Sequence, residues 1–302
     1  MVSVLFNQIL IMFALILIGY LLVRKGLLNR QSTKDFPTLL VYGAMPCVIL
    51  NAYNLEFSAQ RFAFLGLAFL LAALVHLVSF VIARLFFKHE DGIMEFSAAF
   101  SNAGFIGIPL VQAALGEEAV FYVSSFVAFL MIMQFTYGAY IITKSTKVIA
   151  LRNMLKMPVL ISTFIGILLF VSQIRYPAFL GRTISIIAAL NTPLAMINIG
   201  IYLSEISLIS LFMKGLVYRA SLVRLVIIPL ALVLVFKPIP ESLNLLKMTM
   251  LIAASAPSPA NVTIIAETYQ RDVDDAVRTV SLSTLLSIIT LPLIVALAQM
   301  FW

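Results

Sequence analysis

Apolar residues along this chain gather into long blocks separated by short polar stretches. Blocks of about 18 to 25 residues bridge a hydrocarbon core of about 30 Å at 1.5 Å per residue. In lipid the backbone is satisfied only inside helices or closed barrels, and runs of this length are helices. The pattern predicts an all-α polytopic membrane protein with ten spans, near residues 5–23, 36–55, 62–86, 93–115, 119–143, 157–173, 184–204, 212–236, 245–269 and 275–300. The first block has the length of a signal peptide, but its positive charges, Arg24 and Lys25, follow the apolar run and no small-residue cleavage site is present, so it reads as a retained span.

Two of the ten blocks are interrupted. Span 4 contains SNAGFIGIPL, with Asn102, Gly104, Gly107 and Pro109, and span 9 contains SAPSPANV, with Pro257 and Pro259. Each proline removes an N–H and clashes with the preceding turn, at about 3 kcal/mol in a helix interior. Such breaks survive at membrane depth only where protein or a watery cavity surrounds them. If both spans unwind at mid-membrane and cross, their half-helix N-termini present free N–H groups and positive dipole ends, which suit a carboxylate.

The breaks are placed symmetrically. Sliding the chain against itself so that Ser101-Asn102-Ala103 meets Ser258-Pro259-Ala260 also sets Glu117-Glu118-Ala119-Val120 on Asp274-Asp275-Ala276-Val277. At another offset Pro46 of span 2 falls near Pro193 of span 7. Five spans plus five give halves of opposite orientation, residues 1–150 and 151–302, and paired interruptions in such halves point to a transporter's substrate site. The candidate substrate-binding residues are Asn102, Ala103 and Gly104 at one break, Ser258, Pro259 and Asn261 at the other, and Asn51 and Asn198 beside the paired prolines. Gly107, Pro109, Pro257, Pro46 and Pro193 are the candidate helix-breaking positions.

Composition agrees with a lipid solvent: 62% of the 302 residues are hydrophobic and 11% charged, with mean hydropathy +1.09. A soluble chain has about 25% charged residues. Most of the basic residues, among them Arg24, Lys25, Arg30, Lys34, Arg84, Lys88, Lys144, Lys147, Arg152, Lys156, Lys214, Arg219, Arg271 and Arg278, follow odd-numbered spans. Those loops are therefore expected in the cytoplasm and both termini outside, in a cytoplasmic (inner) membrane. This asymmetry accounts for the net charge of +7 and argues against nucleic-acid binding. Cys47 is the sole cysteine, so no intramolecular disulfide forms.

Enzyme chemistry has no foothold: the chain carries no HExxH, GxSxG, P-loop or cysteine cluster, and His76 and His89 lack a ligand spacing. No metal or nucleotide cofactor is expected, and a coupling ion, H+ or Na+, stays open. Arg224, about midway along span 8, is a candidate for substrate charge or for replacing a coupling cation; its alternative role is to cap backbone carbonyls at the broken helices. His76 within span 3, with Glu267 and Glu205 at span ends, are candidate proton carriers, while Asn191 and Gln134 are amides of the kind that bind neighbouring helices.

SNAGFIGIPL, SAPSPANVTIIAETYQ and NTPLAMINIGIYL together resemble the motifs of the auxin efflux carrier family, over the whole chain. That family includes plant PIN-type auxin exporters and bacterial permeases for malate or malonate. The resemblance implies ten helices in an NhaA-like inverted repeat, broken helices 4 and 9 crossing, a scaffold of helices 1, 2, 6 and 7, a transport bundle of helices 3–5 and 8–10, and a homodimer. It also implies that Asn102 matches the asparagine that holds substrate carboxylate and Pro259 the crossover proline of helix 9. Where the plant motif has a proline before the asparagine, this chain has Ser101, and the long plant loop between helices 5 and 6 is replaced by a short linker from Lys144 to Lys156. Phosphorylation control through that loop is not expected, and the motif match does not extend to surfaces that would recognise an indole.

The reading is a secondary transporter of small organic anions, carboxylates such as malate or malonate or auxin-like acids, working by alternating access at the helix 4/9 crossing. The alternatives are a passive uniporter or channel for organic acids, distinguished by flux indifferent to ion gradients, and a non-transporting membrane receptor.

Overall fold

The computed structural model describes residues 1–28, 35–88, 92–145, 156–205 and 214–302. Arg30, Lys34, His89, Lys147, Arg152 and the side chain of Glu205, all named above, lie outside the described residues. Among those described, every regular element is helical. Seven helices are long and apolar enough to cross a membrane: α1 (Val2–Arg24), α3 (Ala59–Phe87), α4 (Gly92–Leu115), α5 (Glu117–Thr143), α7 (Ala178–Ser204), α8 (Gly215–Phe236) and α10 (Val273–Phe301). Two shorter apolar helices, α2 (Phe36–Ala52) and α6 (Pro158–Ser172), lie between them in the chain. The ninth, α9, is two separate halves, Asn244–Ser255 and Asn261–Thr268. The helices fall within a few residues of the apolar blocks, except that α7 begins a turn and a half earlier than its block, at Ala178.

Burial separates an inner group from an outer one. In α4 and α5, 78% and 72% of the most apolar stretch is covered by protein, against 28% in α1. The outer faces of α1, α3 and α6 present Leu10, Ile11, Leu70, Leu85 and Phe164, the composition of a lipid-facing surface. In the inner group α3 packs on α4 and α5, and α8 packs on α10 and the first half of α4, while α2 packs on α6 and α7. The α1–α7 pair is the most extensive contact, and its closeness depends on two residues without side chains. A methyl group on Gly19 would collide with the Ile197 carbonyl, and one on Gly200 with the Ile16 carbonyl. With lipid on one side and helix on the other, attraction comes from close backbone packing, which small residues permit.

Prolines have visible consequences along these helices. Three of them sit just after a five-residue π-turn: Pro46 after Leu40–Ala44, Pro109 after Ala103–Gly107 and Pro229 after Val223–Ile227. A proline lacks the N–H for the ordinary bond and crowds the carbonyl four residues back; a wider turn relieves both. Pro292 lies inside α10 without such a turn.

The glycine contact yields a stability prediction. Gly19→Val and Gly200→Val force the α1–α7 backbones apart, overpacking that costs about 1–3 kcal/mol and about 5 °C in Tm. Gly66, with nothing within 4 Å, is the control: Gly66→Ala should leave the melting of detergent-purified protein unchanged. Equal melting for all three variants would show that the α1–α7 approach is not tight.

Candidate functional site

The two breaks meet. The first half of α4, Gly92–Ala99, stops at a non-helical stretch from Phe100 to Asn102, and the chain re-enters helix through the π-turn Ala103–Gly107. The first half of α9 stops at Ser255, and its second half restarts at Asn261. The Asn102 N–H donates to the Pro257 carbonyl at 2.7 Å, so the two unwound strands are bonded to each other. The Ser258 hydroxyl donates to the Ser97 carbonyl at 2.8 Å, and its N–H donates to Ser283 Oγ at 3.1 Å.

The C-terminal ends of both first halves converge on one side chain. Arg224, only 1% exposed, donates from Nη1 to the carbonyls of Ala98 (3.1 Å) and Ala99 (3.0 Å), and from Nη2 to the Ala254 carbonyl. Helix C-termini carry partial negative charge and unpaired carbonyls, and a guanidinium satisfies both. Arg224 thus makes the carbonyl-capping contacts, with its Nε left without a partner.

At the α4 break the opposite end remains unsatisfied, whereas at the α9 restart Val262 and Thr263 donate to the Pro259 and Ala260 carbonyls. Among the described residues, no acceptor takes the N–H groups of Ala103, Gly104 and Phe105 at the start of the second half of α4. Asn102, 4% exposed, has its Nδ2 unpartnered in the same place. The Gly104 carbonyl accepts from Asn191 Nδ2 at 3.3 Å, leaving Asn191 Oδ1 without a partner. Asn191 also lines a cavity of about 300 Å³ between α2, α7 and the α4–α5 turn, together with Asn51, Gln112, Glu117, Ser185 and Thr192. This polar cavity therefore reaches the break through Asn191, which presents neutral donors and a helix N-terminus.

Other candidates lie elsewhere. Asn261 donates to Gln134 Oε1 at 2.9 Å, and Gln134 begins the π-turn Gln134–Gly138 of α5 with its Nε2 unpartnered. His76 is 2% exposed, its Nδ1 2.7 Å from the Ala72 carbonyl and its ring 4.6 Å from Phe126 and 5.1 Å from Phe129. Pro259 closes the short restart of α9 by accepting from Val262 N at 3.2 Å. Asn198 is buried on α7, away from the cavity lining, Pro193 lies in the first turn of the helix Asn191–Glu205, and Glu267 is exposed near the end of α9. The cavity residues Gln112, Glu117, Ser185 and Thr192 were not singled out as site residues from sequence; the first three sit near the ends of the predicted spans, where polar residues look like ordinary interfacial ones, and Thr192 is a hydroxyl in the middle of α7.

Arg224→Gln leaves carbonyls of two helix ends without donors, at about 1–3 kcal/mol for each buried group. The variant should melt about 10 °C or more below the parent and lose transport of singly and doubly charged anions alike, with Arg224→Lys recovering part of the stability. A variant that melts normally and loses only doubly charged substrates would return Arg224 to substrate binding.

Two comparisons bear on identity. The chain is 26% identical over 297 residues to a protein of Rhizobium meliloti (strain 1021) named "Putative malonate transporter", covering 92% of this chain and 91% of the relative. The family described as "Membrane transport protein" matches residues 4–151 and 143–295, almost the whole length. That family comprises transporters and not enzymes, and it is the one whose motifs the crossing segments carry. The chain thus belongs to the membrane transport protein (auxin efflux carrier) family, as a multi-pass membrane protein.

Proposed function

We propose that the chain is a secondary transporter of small organic anions, with ten membrane crossings in two inverted five-helix halves and an NhaA-like crossing of α4 and α9. The observation that carries this reading is the polar cavity of about 300 Å³ whose lining residue Asn191 bonds the Gly104 carbonyl at the α4 break, where the N–H groups of Ala103, Gly104 and Phe105 and the Asn102 Nδ2 are without partners. A carboxylate accepts from such donors, and a helix N-terminus favours its charge. The name of the Rhizobium relative makes malonate the first substrate to try.

Alternating access is supported by an imbalance between the halves. Val120 lines the large cavity, and Val277, its counterpart in the other half, lines a space of only about 10 Å³ with Ile199, Tyr202, Ala260, Thr263 and Ser281. In the orientation that the basic loops favour, the open side is the outside and the closed side the cytoplasm. The structure then corresponds to an outward-open state, and inward opening would enlarge the Val277 space while closing the Val120 cavity. Movement of α3–α5 and α8–α10 against α1, α2, α6 and α7 would interchange the two.

Uptake of radiolabelled malonate by proteoliposomes, with and without proton and sodium gradients, tests the reading. Asn102→Ala should weaken malonate binding about tenfold, the scale of one lost hydrogen bond to a charged group, while the ligand-free Tm stays within about 2 °C. Unchanged affinity would move the site away from the crossing. Malonate flux indifferent to both gradients would favour a passive uniporter.

A further inference from the structure

The outer cavity is lined by a single ionisable group, and that group is an acid. Asn51, Gln112, Ser185, Asn191 and Thr192 are neutral, and Glu117 supplies the only charged side chain of the lining. The Gln112 amide donates to Glu117 Oε1 at 2.7 Å, holding the carboxylate at the mouth without neutralising it. The cations nearby on neighbouring elements are engaged elsewhere. Arg61 of α3 holds Glu118 at 3.3 Å and the Glu56 carbonyl at 2.9 Å, and Arg175 pairs with Glu56 at 3.4 Å. Tyr122 of α5 directs its hydroxyl to Glu118 at 3.4 Å. On α7, Arg182 is exposed one turn before Ser185 and is not part of the lining. Behind the crossing, Arg224 donates from Nη1 and Nη2 to Ala98, Ala99 and Ala254.

The other half differs at the matching place. Asp274 is the counterpart of Glu117, and it has the Arg278 guanidinium 3.8 Å away, one turn along its own helix. The carboxylate on the open side therefore has no paired cation among the described residues, and the one on the closed side has an adjacent one.

From this arrangement we infer that Glu117 is a charge filter: the cavity admits an organic acid carrying one negative charge and disfavours the doubly charged form of the same molecule. The donors at the crossing can hold one carboxylate, and a second one, displaced toward the mouth, meets Glu117 with no cation in the lining to offset the repulsion. A dicarboxylic acid such as malonate is then taken up as its singly protonated form, and the proton it carries enters with it. This inference rests on the transporter reading and sharpens its substrate class.

The test compares malonate with monomethyl malonate, the same skeleton with one ionisable carboxyl, in proteoliposomes of the parent and of Glu117→Gln. Glu117 is exposed, so the substitution leaves packing intact. At a pH where malonate is a dianion, the parent should take up the monoester about tenfold faster, the scale of one like-charge contact in a half-solvated site. The preference should shrink as the external pH falls through malonate's second ionisation. Glu117→Gln should reduce it severalfold at high pH, by raising uptake of the dianion more than that of the monoester. Equal preference in parent and variant, or faster uptake of the dianion by the parent, overturns the filter. Failure of folded parent protein to take up either acid overturns the anion-transport reading itself, and the filter with it.

Discussion

The contact on which the rest of the architecture depends is the guanidinium of Arg224 between two helix ends. Breaking a helix at membrane depth leaves carbonyls that neither water nor lipid can satisfy. Here two such breaks are brought together so that one cation serves both, through Ala98 and Ala99 on one side and Ala254 on the other. The cation in turn needs that company, since an isolated charge at this depth costs about 2.5–3.5 kcal/mol or more. The crossing therefore has polarity: its carbonyl ends are sealed by protein, and the N–H groups at the restart of α4 stay unpaired. The proposed anion site uses this difference, one end of α4's break being capped and the other free.

Rigid contacts elsewhere determine what can move. The carbonyl approaches at Gly19 and Gly200 leave no slack between α1 and α7. Across the crossing, the Asn102–Pro257 backbone bond and the Ser258–Ser97 bond tie α4 to α9. By contrast, the surface between α7 and the α4–α5 turn holds the large cavity, with Asn191 reaching across it to Gly104. The closest contacts thus lie within each group of helices and the large cavity between them, a distribution that suits the proposed alternating access.

Much of this was legible in the sequence because the bilayer imposes a simple code. Apolar blocks predicted most helices to within a few residues, and the clustering of glycine, proline and polar residues in α4 and α9 marked both breaks, where single prolines elsewhere did not break a helix. Direction was harder. Ser258 and Asn261 look like ligand donors as residue types, yet their side chains bond Ser97 and Gln134, because sequence carries no information on which way a polar group turns. Arg224 was visible as an outlier, but whether it faced substrate or carbonyls depended on a contact 126 residues away. The cavity mouth was missed because Gln112 and Glu117 lie where any interfacial helix end has polar residues. The π-turns left a faint trace, a proline two residues beyond the end of each of three of them.

The sharing of Arg224 also has a consequence in time. Ala98 is made 126 residues before the side chain that caps it. At about 5–20 residues per second, the first half of α4 spends on the order of ten seconds at the ribosome before its partner exists. During that interval its bare carbonyls have only water, lipid headgroups or the insertion machinery to satisfy them. The fourth helix thus cannot settle at its final depth as it emerges, and the order of synthesis makes the crossing one of the last parts of the molecule to assemble.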